Sequence, residues 1–299
     1  MSRPGPHAAR QRIAPLGLLY LAISSVGWGL NFPIMKLLLA EWPPLSSRGL
    51  SGVVGAAGLA LFALAQRQQL GVPRAMWPRL LLISVLTISG WVAFMGLALL
   101  WLRAGEAAVL AISLPVWVAI LAWAVLGERV SVVRAVSLAV ALAGIALLIG
   151  GQGVEASVGK LPGLLCALAG AISVALGTVL TKRLPLQIPP LSMATWTVGL
   201  GCLPVALIGV AIERPEVAAL SAVGWASLLY MTVIQFCVCY ACWFATLQRL
   251  PAATASIGTL LVPVIGVLSA AAMLHEPLGA RDILALTVSL GGIAVALRS

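Results

Sequence analysis

An all-α membrane protein is the fold class the sequence predicts: ten transmembrane helices in two inverted five-helix repeats around a central cavity. Three observations carry it. Of 299 residues, 62% are hydrophobic and only 9% charged, against about 25% charged in a soluble domain. Water cannot solvate such a surface, so lipid is the solvent. The apolar residues fall into runs of about 20, the length that crosses a bilayer as a helix. Finally, one stretch is written twice. Pro115, Glu128 and Gly144 return as Pro263, Glu276 and Gly292, with 13 residues from Pro to Glu and 16 from Glu to Gly in both copies. An echo at fixed spacing marks a repeat architecture.

The ten spans are expected at residues 16–40, 47–66, 78–102, 106–126, 131–150, 161–182, 190–212, 224–247, 253–274 and 281–297. Short connections rich in Pro, Gly, Arg and Glu separate them, as helix stops should be. No gap accommodates a soluble domain, so residues 1–299 form one membrane domain, with repeat 1 at 16–150 and repeat 2 at 160–297. The polar start, with Arg3, Arg10 and Arg12, precedes an apolar run longer than a signal-peptide core. A retained first helix is expected.

Net charge is +10. In a soluble protein this suggests nucleic acid, but here the basic residues sit between apolar runs and report orientation, so no nucleic-acid partner is expected. With the N-terminus cytoplasmic, that side receives 12 of the 18 basic residues: Arg3, Arg10, Arg12, Arg67, Arg74, Arg79, Arg129, Arg134, Lys182, Arg183, Arg249 and Arg298. Glu41, Glu106, Glu155, Glu213, Glu216, Glu276 and Asp282 fall on the other side or its helix ends. Both termini are therefore expected inside. Five helices per half is an odd number, so the second half enters from the opposite side and the repeat is inverted. Helices 1 and 6 echo more faintly, with Lys36 eight residues after Trp28 and Lys182 eight after Val174.

Pro115 and Pro263 are the expected hinges. Proline removes an amide donor and kinks its helix, and in lipid the freed carbonyl needs protein or water. Breaks in matched helices can flank a cavity. Candidate lining residues are the intramembrane polar and aromatic groups: Asn31 in helix 1, Trp91 and Met95 in helix 3, Trp117 in helix 4, Gln235, Cys239 and Trp243 in helix 8, and Ser256 and Thr259 in helix 9. Gln235, Cys239, Cys242 and Thr246, at i, i+4, i+7 and i+11, share one α-helical face. Intramembrane polar groups usually face the bundle or a cavity, and the competing role for the smaller ones is interhelical hydrogen bonding. Trp42, Trp77, Trp101 and Trp225, at span ends, read as interfacial anchors. Lys36 and Arg48 flank the first outer turn, where long basic side chains snorkel to the interface; binding a carboxylate is the less favoured role for either. Glu128 and Glu276 read as turn or gate residues.

Several chemistries lack their residues. No Gly-x-x-x-x-Gly-Lys-Ser/Thr loop is present, and His275-Glu276 does not continue to His-Glu-x-x-His, so neither an ATP engine nor a zinc protease is indicated. No Asp or Glu lies well inside a span, which leaves no carboxylate relay for proton coupling. Cys237, Cys239 and Cys242 form a loose cluster better read as small apolar residues. No metal or cofactor is expected, and a lipid-modifying enzyme lacks its polar cluster.

Trp28-Gly29 with Asn31-Phe32 and Lys36, the paired Pro…Glu segments and the ten-helix pattern together resemble the EamA-type branch of the drug/metabolite transporter superfamily, nearest to YddG-type bacterial exporters of aromatic amino acids. The resemblance implies a basket-shaped bundle lined by helices 1, 3, 4, 6, 8 and 9, with alternating access driven by bending at Pro115 and Pro263. It implies an inner-membrane secondary transporter, monomeric and not an enzyme, exporting aromatic and other neutral amino acids. Its partners are then a small-molecule solute and the lipid bilayer. The alternative is a proton-coupled multidrug or quaternary-ammonium exporter. In helix 6 the Trp of many relatives is Val174.

Overall fold

The computed structural model describes residues 15–128, 131–150, 154–216, 218, 220–250, 255 and 258–296. The described residues form helices and no strands. They are α1 (Pro15–Leu39), α2 (Pro44–Ala65), α3 (Arg74–Ala98), α4 (Ala104–Leu126), α5 (Val132–Gly150), α6 (Val154–Arg183), α7 (Pro190–Glu213), α8 (Ala222–Leu247), α9 (Leu261–Leu274) and α10 (Ala280–Ala296). Seven of these, α1 to α4 and α6 to α8, are long and apolar enough to cross a membrane among the described residues.

Local chemistry sets the ends. Pro44, Pro78, Pro115 and Pro190 sit in the first turn of their helical segments, where a missing N–H costs nothing. Gly127 and His275 end α4 and α9 in the left-handed conformation, with φ of 69° and 54°, the usual way to close a last turn. They hold the same repeat position. The expected single span at 106–126 is two helical pieces, Ala104–Ala111 and Leu114–Leu126, separated by a turn at Ile112 and Ser113. In the second copy Thr259 and Leu260 form the matching turn before Leu261. Each proline thus stands just past a break.

Small residues set the packing. A methyl at Gly144 would meet Ser289 Oγ at 2.4 Å, and one at Gly292 would meet the Ser137 carbonyl at 2.5 Å and the Ala141 amide at 2.8 Å. α5 and α10 therefore touch backbone to backbone. Residues late on one meet residues early on the other, so they run antiparallel. α2 and α7 do the same through Gly49 against Ala206 and Gly52 against Cys202. α1 packs on α8 and α9, while α6 packs on α3 and α4. Small side chains allow such approach in lipid, where no hydrophobic force drives helices together. Several buried hydroxyls are satisfied within their own turns: Ser51 donates to Ser47, Ser84 to Leu80 and Thr246 to Cys242. Large apolar side chains such as Leu61, Leu207 and Ile212 point outward, as the surface of a multi-pass membrane protein must.

One end of the bundle is tied by carboxylates. Glu276 accepts from the amides of Ala104 (2.7 Å) and Gly105 (3.0 Å). Glu213 accepts from Leu45 and Ser46 (3.0 and 2.7 Å), and Glu41 from Ser221 (2.7 Å). Each carboxylate sits at the start of a helix, where free amides and the helix dipole favour an anion. Arg103 joins them, pairing with Glu106 at 3.1 Å and Asp282 at 3.3 Å, and Lys160 reaches Glu106 at 2.7 Å. Burial pulls the Arg103 guanidinium down, but Glu106, Asp282 and Glu276 together outweigh it and the net shift is upward. At the opposite end Lys182 pairs with Glu128 at 3.2 Å, both well exposed.

Two expectations are corrected here. Arg48 does not snorkel: its side chain is 0% exposed, turned inward past Gly96. Trp42 is no interfacial anchor. It is buried and donates its indole N–H to the Glu216 carbonyl at 2.9 Å.

Candidate functional site

α1 and α8 build the centre. Gly27 gives α8 room, for a methyl there would lie 2.3 Å from Cys239 Sγ. Ser24 donates to the Cys239 carbonyl at 3.1 Å, and Tyr230 to the Gly27 carbonyl at 2.9 Å. Trp28 then lies against Tyr240 and Trp243, with ring centroids 5.6 Å apart in both pairs. Tyr240 also stacks on Phe236 at 6.2 Å. The two helices run antiparallel, with Ser24 and Gly27 at Cys239 and Tyr230; Asn31 lies four residues beyond Gly27 on α1, and Gln235 four residues before Cys239 on α8.

α8 is not a plain α-helix. Tyr230–Cys239 is π-helical, and so is Val85–Ser89 in α3, at the equivalent place in the first half. Such segments are rare and cluster at functional sites. Wider turns change which residues share a face. Met231, Gln235 and Cys239 are buried in steps of four, whereas Cys242 is only half-buried. Of the face expected from Gln235 to Thr246, Gln235, Cys239 and Thr246 are buried and Cys242 is half-buried.

Asn31 and Gln235 are buried at 7% and 5% exposure. Met95 is buried in one apolar cluster with Met35 and Met231, and Trp91 packs on it. Trp117 is half-buried. Cys239 is taken up by its contact with Gly27. Trp243 belongs to the aromatic group with Trp28. Thr259 is half-buried in the turn before α9, and Ser256 lies outside the described residues. Pro263 is buried and Pro115 half-buried.

The polar atoms define the site's chemistry. Among the described residues, Asn31 Oδ1, Gln235 Oε1, Ser113 Oγ, Trp117 Nε1 and the Nε and Nη2 atoms of Arg48 are buried without a hydrogen-bond partner. Buried polar groups are nearly always paired. A buried cation with no counter-ion costs several kcal/mol. These groups sit on α1, α2, α4 and α8, next to the helix breaks, and offer donors and acceptors to a polar guest. Of these groups only Ser113 has no counterpart among the residues the sequence singles out. Lys36 is spoken for: it donates to the carbonyls of Leu99 and, at 2.9 Å, Leu102.

Comparison with known proteins gives the setting. The EamA-like transporter family matches residues 15–150 and again residues 161–298. The chain is 29% identical over 266 residues to the "Uncharacterized transporter YvbV" of Bacillus subtilis, covering 87% of this chain and 84% of that one. It is 28% identical over 294 residues to a "Probable amino-acid metabolite efflux pump" of Salmonella typhimurium, covering 93% of each. A solved structure described as "Crystal structure of protein" shares the fold, with a TM-score of 0.70 at 21% identity, over 94% of this chain and 96% of that one.

Proposed function

The chain belongs to the EamA-like transporter family, within the drug/metabolite transporter superfamily, and we propose that it exports aromatic and other neutral amino acids across the bacterial inner membrane by alternating access. The observation that carries this reading is the set of unpartnered polar atoms on Asn31, Gln235, Trp117 and Arg48, in a bundle that also holds Trp91 on the Met95 cluster and the Trp28–Trp243 pair. A zwitterionic head group supplies what the polar atoms lack, and the aromatic and methionine walls suit a large apolar side chain. The efflux-pump name of the Salmonella relative points the same way.

In this reading ten helices span the bilayer as two inverted repeats. The twice-matching family, the antiparallel pairing of α5 with α10 and of α2 with α7, and the exchange of α1–α8–α9 for α6–α3–α4 support it. Both termini are cytoplasmic, and the protein works as a monomer without a cofactor. Pro115 and Pro263 are the hinges, and Glu276, Glu213 and Glu41 hold the outer end shut. An aromatic group such as Trp28 with Tyr240 and Trp243 also suits a cationic drug, but the buried Arg48 cation repels one.

Cells expressing the chain should tolerate inhibitory amino-acid analogues such as p-fluorophenylalanine better than cells expressing Gln235→Ala. Equal sensitivity in both, at equal membrane levels, contradicts the reading.

A further inference from the structure

We propose that Arg48 is the carboxylate subsite of the transported solute, with Asn31 and Gln235 receiving its ammonium group. This rests on the amino-acid reading above and narrows it to solutes carrying an α-amino acid head.

Arg48 is the largest fully buried side chain among the described residues. Its path is built. It lies against Gly96, where a methyl would come 2.8 Å from Arg48 Cδ, so any larger residue there obstructs it. Its Nη1 meets the Met35 sulfur, a weak acceptor. Its Nε and Nη2 meet nothing. Among the described residues no carboxylate lies within salt-bridge reach of it, and its electrostatic neighbours are the Cys202 thiol and the Tyr240 phenol. A guanidinium presents a planar fork that fits a carboxylate with two hydrogen bonds. Nε and Nη2, the two nitrogens along one edge of that fork, have no hydrogen-bond partner, and these are the two that a bidentate carboxylate takes.

The other end of the head group is supplied by α1. Met35, which touches Arg48, is one turn beyond Asn31, a rise of about 6 Å. Gln235 lies four residues before Cys239, on the segment of α8 that packs on α1. Asn31 Oδ1 and Gln235 Oε1 are acceptors without donors, which is what an ammonium group requires. A carboxylate on Arg48 and an ammonium one turn away span one amino acid head with a hydrogen bond of about 2.9 Å at each end.

The test compares alanine, threonine, methionine and phenylalanine, each with its amino alcohol, in proteoliposomes and by thermal stabilisation of the purified chain. Wild type, Arg48→Met and Arg48→Lys are run in parallel. Met fills similar volume and removes the charge. If the proposal holds, R48M loses amino-acid flux by about thirtyfold or more and keeps flux of the alcohols. Its unliganded thermal midpoint equals or exceeds wild type, because an unpaired buried charge has gone. R48K falls between. Amino-acid flux in R48M at the wild-type rate overturns the proposal. So does an equal loss of both solute classes, or a lowered unliganded midpoint, which marks Arg48 as structural. If wild type moves none of the amino acids, the export reading fails by itself. Stabilisation by the acids that vanishes in R48M then still supports the subsite, and its absence overturns it. Replacing gluconate by chloride gives the last arm: an Arg48-dependent shift with chloride and none with amino acids marks an inorganic-anion site and overturns the proposal.

Discussion

The Glu276 carboxylate stands over the first turn of α4, taking the Ala104 amide at 2.7 Å. The residue that ends the second copy of the repeat thereby fastens the helix that begins the first copy's broken span. Its counterpart Glu128 instead pairs with Lys182 in solvent. Among the described residues, the end of the bundle at Glu276 is thus tied through backbone amides and the end at Glu128 through an exposed ion pair.

Removing that fastening has a measurable cost. Glu276→Ala leaves two amides at a helix start without their anion, and should lower stability by about 1 kcal/mol. Glu276→Gln, which retains an acceptor, should lose less. Thermal unfolding in detergent separates the three proteins.

Straightening the broken helices should slow the cycle without harming the fold. Both prolines stand in the first turn after the break, where they cost the helix little, and alanine there restores an amide that can carry the helix across the break. Pro115→Ala and Pro263→Ala should therefore show lower flux at an unchanged or raised thermal midpoint. Wild-type flux in both removes the hinge.

Two adjacent glycines give an internal control for the α5–α10 contact. A side chain at Gly292 runs into the Ser137 carbonyl, whereas one at Gly291 meets nothing within 4 Å. Gly292→Val should cost about 1–3 kcal/mol, and Gly291→Val about 0.5 kcal/mol or less. Equal midpoints for the two variants contradict the close helix contact.

Acid should loosen the turn between α1 and α2. Hydrogen bonds from the Ser221 hydroxyl and amide hold the Glu41 carboxyl below its ordinary range. A carboxyl lowered in the folded state contributes stability that is complete above its unfolded value, about 4.3. That contribution is lost as pH falls through the folded value. Wild type should therefore lose more thermal stability between about pH 6 and pH 3 than Glu41→Gln does.

Much of the architecture was legible because lipid leaves few options. Runs of apolar residues become helices, and the spacing of Pro115, Glu128 and Gly144 against Pro263, Glu276 and Gly292 marked the elements that break, cap and pack alike. What was not legible depends on partners distant in the chain. Arg48 reads as a snorkelling side chain until Gly96 and Met35 close around it. Trp42 reads as an anchor until Glu216 takes its N–H. The π-helical stretch of α8 has no local signal comparable to a proline. Asn31 and Gln235 were chosen for their polarity alone, and the structure adds that each is buried with its amide oxygen unpaired.

Flux from proteoliposomes preloaded with tryptophan, phenylalanine, threonine, methionine, alanine or a quaternary ammonium dye, with and without a pH gradient, tests the central claim most directly. The account predicts amino-acid efflux above protein-free liposomes, with no requirement for the gradient and no dye efflux. Dye efflux alone, or amino-acid efflux that stops when the gradient is removed, contradicts it.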